Sequence, residues 1–313
     1  MHCYAGPAGA VRSDFPFRDL HRISGDAAFE LVRANSPLLI DGLQVRALWD
    51  PTRNLHTLRV FENDAGITWD VTDVGRFHVD STGRTITYDL QPGALLSDAE
   101  NMLVGPVLSV AGQQAGHVML HASAVQFAGG AIAFSAPSGF GKSTLVASFR
   151  EERLPLISDD VLPVLFESQG PVAVPYLPKI KLWAESLAAL GADCDAFDPV
   201  LSWRDKRRVK VDAWGQPARQ PVPLRVLYLL APRDQAGVPP RFEPVEPSTR
   251  WRAVHACMYM AEMLRGRRAA LALDAAIRLS EAVPVRVVSY CRSFETLPAL
   301  REAILRDAEQ VSQ

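Results

Sequence analysis

The chain has 313 residues, 48% hydrophobic and 22% charged, and a formal net charge of −2. That suits one large or two modest domains with a proper core, and it gives no reason to expect nucleic acid or an anionic membrane as a partner. Cys3, Cys194, Cys257 and Cys291 are scattered without a CxxC pair, no apolar run approaches a membrane span, and the N-terminus shows no signal-peptide pattern, so no zinc site and no disulfide framework are indicated and a cytoplasmic protein is expected.

Residues 1–20 are mixed and rich in Gly and Pro, and read as a loosely ordered start. Asp26 to Ala34 reads as a short helix. Period-two alternation then marks strands at Leu43–Ala47, Leu58–Val60 and Ile67–Val71. Phe77–Val79 and Ile86–Leu90 bracket Ser81-Thr-Gly-Arg84 as a hairpin with glycine in the turn. Residues 1–95 are therefore expected to form a smaller, mostly β unit, a scaffold or recognition module. Ser97-Asp-Ala-Glu100 has capping-box spacing and predicts a helix start, with Pro106 kinking the helix that carries Met102, Leu103 and Val107 inward. The second domain is expected over 96–313.

That domain opens with Val118–Phe127 and Gly130–Ser135, a hairpin of apolar strands. Ala136-Pro-Ser-Gly-Phe-Gly-Lys-Ser143 follows, and Thr144–Arg150 reads as a helix. Strand, glycine loop and helix are the context of a phosphate-binding loop, here with Ala in place of the first glycine. Gly139 and Gly141 let backbone N–H groups turn inward toward phosphate oxygens. Lys142 would reach the outer phosphates and the Ser143 hydroxyl would ligate magnesium. The bland alternative is an ordinary strand–turn–helix with a surface lysine.

Leu154–Val164 is two apolar strand segments flanking Asp159-Asp160. Adjacent residues on a strand face opposite ways, so the two carboxylates can divide metal binding and hydroxyl orientation. Alone, the pair reads equally as a solvated turn, and a lone His121 on an apolar strand reads more simply as core. Ile180–Leu190 reads as a helix and Arg204–Lys210 as the most basic stretch. Leu224–Leu230 reads as a central strand, Ser248–Leu264 as a helix, Val283–Tyr290 as a strand and Phe294–Val311 as a closing helix. Strands alternating with helices predict an α/β core.

Taken together, His121, the loop 136–143 and Leu156-Ile-Ser-Asp-Asp160 resemble the catalytic domain of the HPr kinase/phosphorylase family over roughly residues 115–165. The resemblance implies a mixed sheet with flanking helices, of the type shared with phosphoenolpyruvate carboxykinase, and an ATP- and Mg²⁺-dependent serine kinase. It implies ATP contacts at Ser138, Gly139, Phe140, Gly141, Lys142, Ser143 and Thr144, and places His121, Asp159 and Asp160 at the reacting phosphate. Asp160 is taken as the metal ligand beside Ser143, while the division of roles between the aspartates stays open. The family's later glutamate- and arginine-bearing glycine motif has no clear match, and Tyr176–Trp183 stands roughly at its place. The chain thus looks closer to the HPr-kinase-like proteins of biosynthetic clusters, including those of lasso peptides. That likeness implies a peptide or small-protein acceptor, with the C-terminal serine of a lasso peptide precursor among the choices. Lys179, Lys181, Lys206 and Arg207 are candidate contacts to phosphate or an anionic peptide end, or a solvated basic face. An ATP-binding module without kinase activity and a small-molecule kinase are the alternative readings, and a homo-oligomer is open.

Overall fold

The computed structural model describes residues 1–201, 205–211, 215–233 and 238–311. The chain divides into two compact units, Met1–His117 with Glu262–Ala269, and Val118–Ala261 with Ala270 onward.

The first unit is built on β1 (His2–Gly6), β2 (Gly9–Ser13), β3 (Ala27–Arg33), β4 (Leu43–Asp50), β5 (Leu55–Asn63), β6 (Gly66–Val71), β7 (Gly75–Asp80) and β8 (Thr85–Leu90). They form one sheet in the order β1-β2-β3-β8-β7-β6-β5-β4. The loosely ordered start expected for residues 1–20 is instead a hairpin. Tyr4 lies opposite Val11, both buried, and Phe15 and Phe17 pack edge-on around Tyr4 and Tyr88. Four aromatic side chains outweigh the Gly and Pro content. The helix expected at Asp26–Ala34 is β3, parallel to β2 and to β8. Phe29 and Leu31 are buried while Glu30 is exposed, which is a strand's period of two.

Gly83 sits in the β7–β8 turn at φ +77°, and a Cβ there would lie 2.2 Å from the Ala111 carbonyl oxygen. That close approach seats α1 (Leu96–Met102) and α2 (Leu108–Gln114) with this unit, so the compact division falls at His117/Val118 rather than near residue 95. The capping box does not form. The helix begins at Leu96 with no side-chain cap, and Glu100 instead accepts the backbone N–H groups of Arg18 and Asp19 at 2.7 and 2.8 Å. Pro106 lies in a π-helical turn, Leu103–Val107, that joins the two helices. Such bulges accommodate a residue that cannot donate to the helical ladder.

The second unit contains β9 (Val118–Leu120), β10 (Ala122–Phe127), β11 (Gly130–Ser135), α3 (Lys142–Ser148), β12 (Leu156–Ser158), β13 (Leu162–Glu167) and β14 (Gly170–Ala173). It continues with β15 (Lys179–Trp183), α4 (Ala184–Ala189), β16 (Lys206–Lys210), β17 (Val222–Arg233), β18 (Arg241–Pro244), α5 (Pro247–Ala256), α6 (Gly266–Ala282), whose first residues belong to the first unit, β19 (Val285–Cys291) and α7 (Leu297–Val311). The sheet is mixed. β17 is its centre, parallel to β11 and β19 and antiparallel to β14. Expected elements change here. Val118–Phe127, expected as one strand, is divided at His121 into β9, which pairs with β13, and β10, which pairs with β11. Ile180–Trp183 belongs to a strand, β15, paired with β16, and only Ala184–Ala189 is helical. The helix expected to Leu264 stops at Ala256, because residues 257–259 pair with β9. Helix α6 was not anticipated. No helix among the described residues is long and apolar enough to cross a membrane, and all four cysteines are free.

Candidate functional site

The site is built where β11 ends. All six residues of β11 are buried between β10 and β17. Phe134 on this strand stacks against Phe149, just past α3, and against Tyr228 of β17, with ring centroids 5.8 and 5.7 Å apart. These stacks fix α3 to the sheet and leave the six residues 136–141 to span the gap.

That span needs its glycines. Gly139 and Gly141 stand at φ +88° and +89°, a region that L side chains rarely adopt. Gly141 is the N-cap of α3, and its carbonyl accepts the Leu145 N–H at 2.8 Å. The Lys142 ammonium folds back over the loop, donating to the carbonyls of Ala136 (2.6 Å) and Pro137 (3.3 Å). Burial pushes its pKa down, and the nearby Asp160 and Asp159 carboxylates pull it back up. From the far side, the Tyr290 hydroxyl donates to the Phe140 carbonyl at 2.8 Å. Burial pushes that hydroxyl up to about 12, so it remains a donor at any physiological pH. Tyr290→Phe should therefore loosen the loop. One lost hydrogen bond of about 1 kcal/mol should weaken ligand binding at the loop about fivefold, read by titration calorimetry, with the fold intact.

The two aspartates take different places. Asp159 is 2% exposed. One of its oxygens accepts the hydroxyls of Ser123 (2.6 Å) and Ser143 (2.8 Å), and the other accepts the Lys181 N–H (2.9 Å). It ties β10, α3 and β15 together, and three donors satisfy a carboxylate that would otherwise be costly to bury. Asp160 turns the other way. Val161 N–H bonds the Asp159 carbonyl at 2.9 Å, and the residue between them has φ +73°, the geometry of a strained γ-turn. The turn presents the Asp160 carboxylate to the cleft with 29% of the side chain exposed, 3.0 Å from the Lys181 ammonium and 3.5 Å from His121 Nε2. Burial alone would raise its pKa, but Lys181 and then His121 overcome this and hold the carboxyl well below the usual carboxylate range.

His121 itself is held by backbone. Its N–H donates to the Cys257 carbonyl at 2.7 Å, its own carbonyl accepts the Ser135 hydroxyl at 2.9 Å, and its ring stands edge-on to Tyr259. The early stop of α5 is what supplies Cys257 and Tyr259 to this position.

One open cleft of about 250 Å³ gathers His121, Ser138, Gly139, Gly141, Lys142, Ser143, Thr144, Asp160, Lys181 and Lys206. Lys179 and Arg207 do not line it. Lys179 is 2% exposed, and Arg207 lies on the opposite face of β16 from Lys206, paired with Asp205 at 3.2 Å. Arg204, at the start of the basic stretch, lies outside the described residues. Reading the sequence missed Trp183, Glu185, Ser186, Tyr290, Arg292, Ser293 and Phe294, which also line the cleft. A signal was present for the last four. They close β19, which runs parallel to β17 and β11, and ligands gather at the carboxyl ends of parallel strands.

No family model matches the chain, and no curated protein matches it. Among solved structures it is similar to the Hpr(Ser) kinase/phosphatase from Coxiella burnetii, with 12% identity, 61% of this chain and 96% of that chain covered, and a TM-score of 0.35. That overlap carries no argument about the site, whose reading rests on this chain's own residues.

Proposed function

We propose that the second unit is an ATP-dependent phosphotransferase that moves the γ-phosphoryl group to a hydroxyl acceptor. The observation that carries this is the convergence, in one cleft, of a glycine loop with a lysine folded over it and a carboxylate held ionised by Lys181 and His121. Loop N–H groups and Lys142, once it leaves the carbonyls of Ala136 and Pro137, hold the phosphates. Asp160 accepts the hydrogen bond of the acceptor hydroxyl and so points its oxygen at phosphorus. The bond from phosphorus to its bridging oxygen breaks as the bond to the acceptor oxygen forms, and the acceptor's proton passes to Asp160. With its pKa depressed, Asp160 is a weak base. Phosphoryl transfer through a loose transition state demands positioning and charge stabilisation more than basicity. Lys181 and His121, both beside Asp160, face the charge that develops on the transferred group.

A magnesium ion fits the donors present. Ser143 and Asp160 offer a hydroxyl and a carboxylate to the same cleft, the hard oxygens this cation prefers, and Asp159 steadies Ser143 from behind. When bound, it would neutralise charge on the phosphate oxygens.

The resemblance of His121–Ser143 and Asp159-Asp160 to HPr-kinase-like proteins supports a serine on a peptide or small protein as acceptor, the C-terminal serine of a lasso peptide precursor included. The test is mass spectrometry of serine-bearing peptides, among them precursor peptides ending in serine, incubated with the protein, ATP and Mg²⁺. A gain of one phosphoryl group that disappears with Lys142→Ala is expected. Tight ATP binding with no transfer to any peptide or small hydroxyl compound would leave a binding module in place of a kinase.

A further inference from the structure

Part of the cleft has no task in phosphoryl transfer. Trp183 and Phe294 are large apolar side chains left 40% and 42% exposed, and both line it. Leu297 and Leu300 of α7 line the cleft as well. Exposed aromatics sharing the cleft with a glycine loop call for a flat apolar ligand group.

The order of residues along β15 says which group. Lys181 holds Asp160 at the reacting end. Trp183 is two residues further along the same strand face, about 7 Å on at the rise of a β-strand. Glu185 and Ser186 follow on α4, and Ser186 Oγ meets Thr144 Oγ1 of α3 at 2.9 Å. The cleft therefore runs from Asp160 past the loop and Lys142 to Trp183, and ends beside Glu185. A nucleoside triphosphate has that same order, from transferable phosphate to inner phosphates to sugar and base. At the matching place, Lys206 pairs across the strands with Trp183, and its ammonium lies 5.6 Å from the indole centroid. Its charge also reaches Lys142 and lowers that group's pKa, though less than burial does, so Lys206 lies within electrostatic reach of the inner phosphates. Glu185 is exposed and lines the cleft, at the end where ribose hydroxyls would stand.

We infer that Trp183 and Phe294 form the nucleobase subsite, with Lys206 on the inner phosphates and Glu185 on the ribose. This rests on the reading of the loop as a phosphate site and names the rest of its ligand. Stacking a base on an aromatic ring contributes about 1–3 kcal/mol, so each aromatic should matter to ATP and not to a ligand without a base.

The test compares ATP with inorganic tripolyphosphate, each with Mg²⁺, by titration calorimetry on the full chain. Trp183→Ala and Phe294→Ala should each weaken ATP at least fivefold and leave tripolyphosphate within twofold. Trp183→Phe should restore most of the loss, which separates stacking from a damaged fold. Glu185→Gln should narrow the preference for ATP over its 2′-deoxy form. If both alanine variants bind ATP like the unsubstituted protein while tripolyphosphate still binds, the base subsite is overturned alone and the aromatic end passes to the acceptor. If the unsubstituted protein binds neither ligand, the phosphate reading falls and the subsite with it.

Discussion

Asp160→Asn is expected to slow phosphoryl transfer about a thousandfold, within the usual span for a group that orients and accepts a proton, while the protein stays folded. Asparagine tolerates positive φ nearly as well as aspartate, so the γ-turn at φ +73° persists. What goes is charge. Lys181 loses the carboxylate 3.0 Å from its ammonium, His121 loses its anionic partner, and the acceptor hydroxyl loses the base that takes its proton. Stability gives a second readout with a definite sign. Burial would raise the Asp160 pKa, yet Lys181 and His121 hold it well below the ordinary value. A carboxyl depressed on folding contributes stability that is fully present above its unfolded pKa and is lost as pH falls through the folded one. The stability gap between the unsubstituted protein and Asp160→Asn, measured in denaturant without metal, should be widest at neutral pH and close in acid. Asp159→Asn should behave differently. Its amide would meet one of the three donors that now serve a 2% exposed carboxylate, at a cost of about 1–3 kcal/mol. A folded Asp160→Asn variant that turns over at the full rate would remove Asp160 from the chemistry.

Those two aspartates also show what a sequence reveals and where it stops. Strand alternation predicts that Asp159 and Asp160 diverge, and they do, but β12 ends at Ser158 and the cause is the turn that follows it, with Asp160 at φ +73°. Which one enters the cleft depended on a turn made by one backbone hydrogen bond, from Val161 to Asp159, and no residue type there announces it. The loop was legible because Gly139, Gly141 and Lys142 are needed by local backbone geometry. The cations were only half legible. Lys181 and Lys206 reach the cleft while Arg207 turns away, and that follows from the antiparallel pairing of β15 with β16. From the sequence alone Ile180–Leu190 reads as a helix, whereas Lys179–Trp183 is strand β15. Similarly, β3 looks helical over Asp26–Ala34 until β2 and β8 are there to pair with it on both sides. Local propensity gave way wherever a partner distant in sequence supplied hydrogen bonds. Tyr290 is the clearest such case, since its contact with Phe140 spans 150 positions.

Lys142→Ala should weaken ATP about a hundredfold, the consequence of losing a charge-assisted contact of roughly 3 kcal/mol, and should abolish transfer. The site's own charges explain why no other group substitutes. Asp159 and Asp160 both lie close enough to raise the Lys142 pKa against the burial that lowers it. Lys181 is committed to Asp160, so removing Lys142 leaves a triphosphate facing the Asp160 carboxylate with one ammonium fewer. Lys142 also serves the loop itself. Its ammonium caps the carbonyls of Ala136 and Pro137, and alanine leaves both without that donor. Lys142→Arg should fail as well. The ammonium occupies a position with the residue only 6% exposed, and a planar guanidinium has neither the room nor the point-charge geometry to replace it. Calorimetric titration with ATP and Mg²⁺ reads the affinity, and a thermal melt confirms the fold. Unchanged affinity in a folded Lys142→Ala protein would show that the loop holds no phosphate, and the kinase reading would go with it.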